Sequence, residues 1–348
     1  GEFVLGRRDG EWIVFLLSFR HRSSSTPSRI HISSRLAEPM RRALEAGIRC
    51  FNVESVAELE HLNSVAGEAG IAAPVSLRVN PDVDAGTHPY ISTGLKENKF
   101  GVSIDDALIA YQRAAEADHI DVYGIDCHIG SQITEAGPFE EALKSVKTLI
   151  QQLKSELGIQ IQYIDMGGGL GITYADETPP SLKEYAKAFV KNLEGMDLTL
   201  ILEPGRVLVG NAGILVTRVL YKKAGKAKNF VIVDAAMNDL MRPTLYNAFH
   251  AIEPVVRNQA PLTVADVVGP ICESGDFLAV DRNLTETSAG DLLAVMSTGA
   301  YGFVMSSNYC SRLRVAEVMV KDNQYYVVRQ KETYQDLVKG ESIPPFMV

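Results

Sequence analysis

No stretch of this chain approaches the ~20 consecutive apolar residues of a membrane-spanning helix. The longest apolar run near the N-terminus, Trp12 to Leu17, is far shorter. Cysteine is scarce: Cys50, Cys127, Cys272 and Cys310 lie far apart, with neither disulfide-framework nor metal-ligand spacing. That excludes a cross-linked scaffold and a cysteine metal site, and it fits a reducing cytoplasm. Positive charge is in deficit, with 34 Lys and Arg against 43 Asp and Glu and a net charge of −9. Nucleic acid and anionic membrane are therefore excluded as principal partners, and an anionic substrate needs locally placed arginines. No repeat recurs at solenoid periods. Lysine is missing altogether before Lys96.

What is present suffices for a large core. With 348 residues and 46% hydrophobic content, the chain holds one large domain or two ordinary ones. From about Leu36 to Arg206, short apolar segments alternate with helical patterns. Strands are expected at 48–53, 74–79, 122–128, 160–166 and 198–203, and helices at 56–69, 104–117, 139–157 and 182–193. Five βα steps with functional-looking residues at the strand C-termini suit a (β/α)8 barrel; a doubly wound sheet competes, since periodicity alone does not separate the two. Beyond Arg206 the pattern turns to short strands between turns (230–234, 292–297, 316–320, 324–329), as in a mostly β domain. The expected division is an N-terminal segment over 1–35, a cofactor-binding (β/α) unit over 36–210 and a β-rich domain over 211–348. The first segment has six arginines and seven serines with no clear period, a bias shared by targeting peptides and by a foreign or frame-shifted junction.

The most informative string is Asp165-Met166-Gly167-Gly168-Gly169-Leu170-Gly171, followed by Glu203-Pro204-Gly205-Arg206. Each follows an apolar run, so two strands end in loops whose N–H groups suit a phosphate, and one of them also carries a carboxylate. Phosphate donors beside an acid point to a phosphorylated heteroaromatic cofactor, with pyridoxal phosphate the leading candidate.

Taken together, Arg78-Val79-Asn80-Pro81-Asp82, His128-Ile129-Gly130-Ser131-Gln132, the glycine run, Glu203-Pro204-Gly205-Arg206, Cys272-Glu273-Ser274 and Gly299-Ala300-Tyr301-Gly302 resemble the diaminopimelate decarboxylases. These belong to the alanine-racemase-like, fold type III class of pyridoxal-phosphate proteins. The string from Met237 to Tyr246 (MNDLMRPTLY) resembles the diaminopimelate branch rather than the ornithine or arginine branches. The resemblance implies a TIM-type barrel followed by a β domain, and loss of CO2 from meso-2,6-diaminopimelate to give L-lysine, the last step of lysine biosynthesis. It implies that Glu203 faces the pyridine nitrogen, that His128 stacks on the ring, and that Arg78 lies beneath the cofactor. Ser131, Gly168, Gly169 and Gly205 would serve the phosphate with Arg206 close by, and Arg206 would also reach the substrate. Arg242 and Tyr246 would grip the substrate's non-reacting amino-acid end, their i, i+4 spacing placing both on one helix face. Cys272, near the reacting carbon, and Glu273, near the distal ammonium, would complete the neighbouring subunit's site, making a homodimer part of the mechanism. Tyr301 would contact phosphate or substrate. No metal is implied. Asn308-Tyr309-Cys310 stands where the family often shows Asn-Tyr-Asn.

The resemblance also exposes a gap. The family holds its cofactor as an imine on a lysine of the first barrel strand, and neither Lys96 nor Lys99 has that apolar strand context. The identifiable strands correspond to the fourth through eighth of a barrel, so an open barrel with two unpaired edges is expected, with steeply reduced activity. The rival readings are a catalytically dead binding or regulatory homologue and a decarboxylase for another basic amino acid.

Overall fold

The computed structural model describes residues 3–8, 11–16, 31–32, 36–88, 91, 93–94, 99–257 and 259–347. Lys96 and most of the segment expected as a targeting sequence or junction lie outside them. The chain divides into two compact units, one comprising 1–172 and 177–208, the other 173–176 and 209–348.

The first unit is built from β1 (Phe3–Arg8), β2 (Glu11–Leu16), β3 (His31–Ile32), α1 (Ala37–Glu45), β4 (Cys50–Val53), α2 (Val56–Ala69), β5 (Ala73–Asn80), β6 (Val102–Ser103), α3 (Ala107–Glu116), β7 (Ile120–Asp126), α4 (Gly137–Leu157), β8 (Tyr163–Asp165), α5 (Leu182–Val190) and β9 (Thr199–Leu202). Its sheet runs β2-β1-β9-β8-β7-β5-β4-β3, parallel from β9 to β3, with β6 paired to β5. This is the (β/α) barrel architecture, with six strands in the parallel run where a full barrel has eight. Local signals set the helices. Ser55 caps α2 by accepting from the Glu58 N–H, Gly70 ends it in the left-handed region, and Ser181 and Glu184 close a capping box on α5.

The edges differ from expectation. Rather than ending bare, β9 carries β1 antiparallel against it, with Phe3 opposite Leu202 and Leu5 opposite Leu200. At the other end β3 lies beside β4, with His31 opposite Cys50. Edge N–H and C=O groups favour a partner strand, and a segment read as aperiodic supplies it here.

Residues alternate between the two faces of each parallel strand. Phe51, Val53, Val75, Leu77, Val79, Ile125, Ile164 and Leu200 pack with Leu59, Leu62, Tyr111, Phe139, Leu143 and Phe189 of the helices, forming the principal core. The opposite face carries a small apolar plug of Cys50, Tyr163 and Ile201, and above it the polar residues that make the site.

Helix α6 (Arg206–Val209) spans the division, and the second unit holds β10 (Leu215–Ala224), β11 (Asn229–Val233), α7 (Arg242–Tyr246), β12 (Ile252–Pro254), β13 (Leu262–Val268), β14 (Phe277–Thr285), β15 (Leu292–Val295), β16 (Glu317–Lys321), β17 (Gln324–Arg329) and α8 (Tyr334–Leu337). Six strands form one sheet in the order β12-β15-β10-β11-β13-β14 over a core of Val219, Val233, Val267, Leu278 and Val295, while β16 and β17 pair only with each other. The sequence reading missed β10, β12, β13 and β14. The last two pair with register shifts at Ala265–Val267 and Val267–Val268, and such bulges break the two-residue period that marks a strand. No helix among the described residues is long and apolar enough to cross a membrane.

Candidate active site

The C-terminal ends of β4, β5, β7, β8 and β9 converge on the expected residues of the first unit. Arg78, projecting from β5, donates to Glu54 Oε1 at 2.7 Å, lies 3.9 Å from Asp126 Oδ2, reaches the His128 carbonyl at 3.4 Å and covers the Phe100 ring at 4.7 Å. Asp126 sits in register with Asp165 on the neighbouring strand, and both are buried. Burial, then the Asp165 and Glu203 carboxylates, push the Asp126 carboxyl well above its ordinary range, against the pull of Arg78.

His128 is held at both ends. Its carbonyl accepts from Thr93 Oγ1 at 2.8 Å, and its ring Nδ1 accepts from the Gly168 N–H at 3.1 Å. An accepting Nδ1 leaves the proton of the neutral ring on Nε2. Burial and the Arg78 charge lower its pKa from 6.5 to about 4. The neutral ring therefore contributes stability that is present above pH 6.5 and lost as pH falls through about 4, up to about 3 kcal/mol. Thermal midpoints recorded from pH 7.5 down to pH 4 should fall more steeply for the wild-type chain than for His128→Gln; parallel curves would exclude this origin.

The glycines are set by close approach. A Cβ at Gly168 would lie 2.2 Å from the Glu203 carbonyl oxygen, and one at Gly169 would lie 2.4 Å from that of Gly130. Gly167 has φ +62, its N–H donates to Asp165 Oδ1 at 2.9 Å, and its carbonyl accepts from the Glu203 N–H at 2.7 Å. The loops after β7 and β8 are further laced by Ile133 N–H to Gly169 O at 2.8 Å and by Gln132 on both backbone groups of Ile172. Arg206, buried, donates to Ser131 Oγ at 2.9 Å, with exposed Gly205 just before it. Thus Arg78, His128, Ser131, Gly168, Gly169, Glu203, Gly205 and Arg206 form one connected set. The Gly168 N–H, read as a phosphate donor, serves His128 here.

In the second unit, Arg242 and Tyr246 open and close α7, as their spacing implies. Thr244 Oγ1 donates to Gly275 O at 2.6 Å, joining this helix to the loop bearing Cys272 and Glu273, and Asp276 knits that loop by accepting from the N–H groups of Met237 and Ile271, each at 2.7 Å. Glu273 accepts from Tyr309 Oη at 2.5 Å, which pushes the phenol up to about 12. Cys272 and Cys310 are free thiols at the surface. Cys310 has φ +53 and Tyr301 φ +57, left-handed conformations rare for such side chains and more tolerable for asparagine. That accounts physically for an asparagine where this chain has Cys310. Sequence reasoning missed Glu54, Asp126, Asp165, Tyr309 and His250. The first three were visible as acids at the ends of apolar strands, Glu54 just after β4 and Asp126 and Asp165 closing β7 and β8, and His250 as the next step of four after Tyr246. No group of three or more His, Cys, Asp or Glu among the described residues is placed to hold a metal.

Comparison with known proteins identifies this arrangement. Residues 20–210 match the pyridoxal-dependent decarboxylase, pyridoxal binding domain family, beginning inside the segment that the motifs alone left unmatched. The chain is 58% identical over 308 residues to a diaminopimelate decarboxylase of Pseudomonas aeruginosa, covering 88% of this chain and 74% of the relative. It is 54% identical over 322 residues to one of Vibrio cholerae, covering 92% and 77%. The chain belongs to the diaminopimelate decarboxylase family. A crystal structure of the Helicobacter pylori diaminopimelate decarboxylase complexed with L-lysine superposes with TM-score 0.85 at 42% identity, covering 90% of this chain and 78% of that one. The M. jannaschii diaminopimelate decarboxylase in co-complex with L-lysine gives 0.86 at 39% identity, covering 92% and 76%.

The cofactor of this pyridoxal-dependent decarboxylase family is pyridoxal phosphate, and the donor set fits its non-covalent contacts. Arg206 and Ser131 offer charge and hydroxyl to a phosphate, and His128 offers a neutral ring. Diaminopimelate decarboxylases are carbon–carbon lyases, and this chain is a family member by both sequence and fold.

Proposed function

We propose that this chain carries out pyridoxal-phosphate-dependent loss of CO2 from meso-2,6-diaminopimelate to yield L-lysine. The observation that carries the reading is the close approach of three strand ends, where the Gly168 N–H donates to His128 Nδ1 and Gly168 leaves no room for a Cβ against the Glu203 carbonyl. When bound, the cofactor supplies an electron sink for the carbon that loses CO2. Glu203 would serve the pyridine nitrogen as a carboxylate partner, and His128, held neutral by burial, would offer the ring an uncharged contact. Arg206 and Ser131 would anchor the phosphate, with backbone from Gly169 and Gly205, while Arg78 orders Glu54 and the His128 carbonyl. Arg242, Tyr246 and Tyr301 would hold the amino acid. Cys272 and Glu273 act in the site of a partner copy, so the working form is a homodimer, and its free thiols suit the cytoplasm.

A second reading, a non-catalytic binding homologue, is favoured by the lysines. Lys99 lies over the Phe100 ring at 5.1 Å, and no lysine among the described residues projects from the parallel strands. One experiment separates the two: titrate pyridoxal phosphate by absorbance, reduce with borohydride, map any labelled peptide, and assay CO2 release from diaminopimelate, ornithine and arginine. The proposal expects saturable binding and CO2 release with preference for diaminopimelate, and label on Lys96 or Lys99 would mark an unconventional covalent anchor. Binding without label or turnover selects the non-catalytic reading, and preference for ornithine overturns the substrate assignment.

A further inference from the structure

Arg242 does not stand alone in the second unit. His250, fully buried just beyond α7, places Nε2 2.7 Å from Arg242 Nη1 and Nδ1 2.8 Å from the Met296 carbonyl oxygen. A guanidinium only donates and a carbonyl only accepts. The two bonds are therefore satisfied together by a single protonation state, the neutral ring with its proton on Nδ1. A proton on Nε2 would set two donors face to face inside the protein, a costly arrangement. The Tyr174 ring lies under the guanidinium at 4.5 Å and meets the His250 ring edge-on at 5.2 Å, closing a second side of the clamp. The main chain of the histidine is fixed as well, since Arg282 donates to its carbonyl at 2.6 Å while stacking on Phe249 at 3.8 Å.

We propose that His250 is a positioning residue for substrate recognition: locked by the Met296 carbonyl in its Nδ1–H form, it fixes the plane of the Arg242 guanidinium for the carboxylate at the non-reacting end of the amino acid. This rests on the proposed function for the role of Arg242. A planar fork meets a carboxylate bidentately only when its orientation is set, and a side chain with four rotatable bonds does not set it unaided. Tyr246, one turn along α7, lies on the same side.

The test compares two probes on the whole chain loaded with pyridoxal phosphate. L-lysine carries the gripped carboxylate and 1,5-diaminopentane lacks it. His250→Leu should weaken L-lysine binding about tenfold, as loss of one oriented charge-assisted contact implies, and leave 1,5-diaminopentane within about twofold. His250→Gln, which restores an acceptor toward Arg242, should recover most of the loss. Equal L-lysine affinity in His250→Leu, or equal loss of both probes, would overturn the proposal. The 15N spectrum of the ligand-free wild-type chain should show the proton on Nδ1, and a proton on Nε2 would overturn it independently. If the wild-type chain binds neither probe, the proposed function fails and the 15N spectrum alone decides the His250–Arg242 pair.

Discussion

Replacing Arg78 by methionine is expected to destabilise the chain by about 3–5 kcal/mol, the usual consequence of leaving buried charges without their partner. The side chains concerned are well enclosed, with exposures of 13% for Arg78, 7% for Glu54 and 5% for Asp126. Removing the guanidinium takes the 2.7 Å partner from Glu54 and the cation that offsets burial, Asp165 and Glu203 at Asp126. A fall in thermal midpoint of roughly 10 °C should follow. The diagnostic is rescue. Arg78→Met combined with Glu54→Gln and Asp126→Asn carries no unbalanced charge and should recover most of the loss, because neutralised buried sets are often no less stable than ionic ones. A single substitution costing under about 1 kcal/mol would mean that water reaches the cluster and screens it.

Gly168→Ala should be a severely damaging single-methyl change, with the added Cβ 2.2 Å from the Glu203 carbonyl oxygen. The added carbon would meet main-chain carbonyl oxygen rather than a yielding side chain, so either the β8 or the β9 loop must move. Overpacking of this kind costs about 1–3 kcal/mol. Because the same loops carry His128's partner N–H and Glu203, affinity for pyridoxal phosphate should fall at least about tenfold. Gly137→Ala is the matched control, since a Cβ there meets nothing within 4 Å. Calorimetric midpoints and cofactor titrations of the two variants test this directly; a Gly168→Ala chain that behaves like the control would mean that the loops separate freely.

Much of the first unit was legible because parallel strands write themselves as short apolar runs that end abruptly in chemistry. Gly167 to Gly169 and Glu203 to Arg206 could be placed at strand ends from composition alone, and the structure brings them into contact. Side-chain partnerships were not legible. That Arg78 would bridge Glu54 and Asp126, or that the Gly168 N–H would face His128, depends on which strands neighbour one another, and periodicity is silent on that. The same limit hid β1 beside β9, a pairing made by backbone groups that every residue shares. In the second unit bulges concealed β13 and β14, while the Arg242 to Tyr246 spacing survived because a single helical turn encodes it locally.

The alternation along β5 has a consequence for how such a protein changes over generations. Val75, Leu77 and Val79 hold the strand to the helices, while Ser76, Arg78 and Asn80 face the other way. Hydrophobic exchanges on the first set are nearly independent of one another and drift freely so long as volume is kept. Arg78 on the second is coupled to the Glu54 and Asp126 carboxylates beside it, so a lineage can rewrite its chemistry there only through compensated steps, one carboxylate and one cation at a time. New specificity is thus slow to arise on this scaffold from single replacements, yet once reached it leaves the surrounding framework untouched.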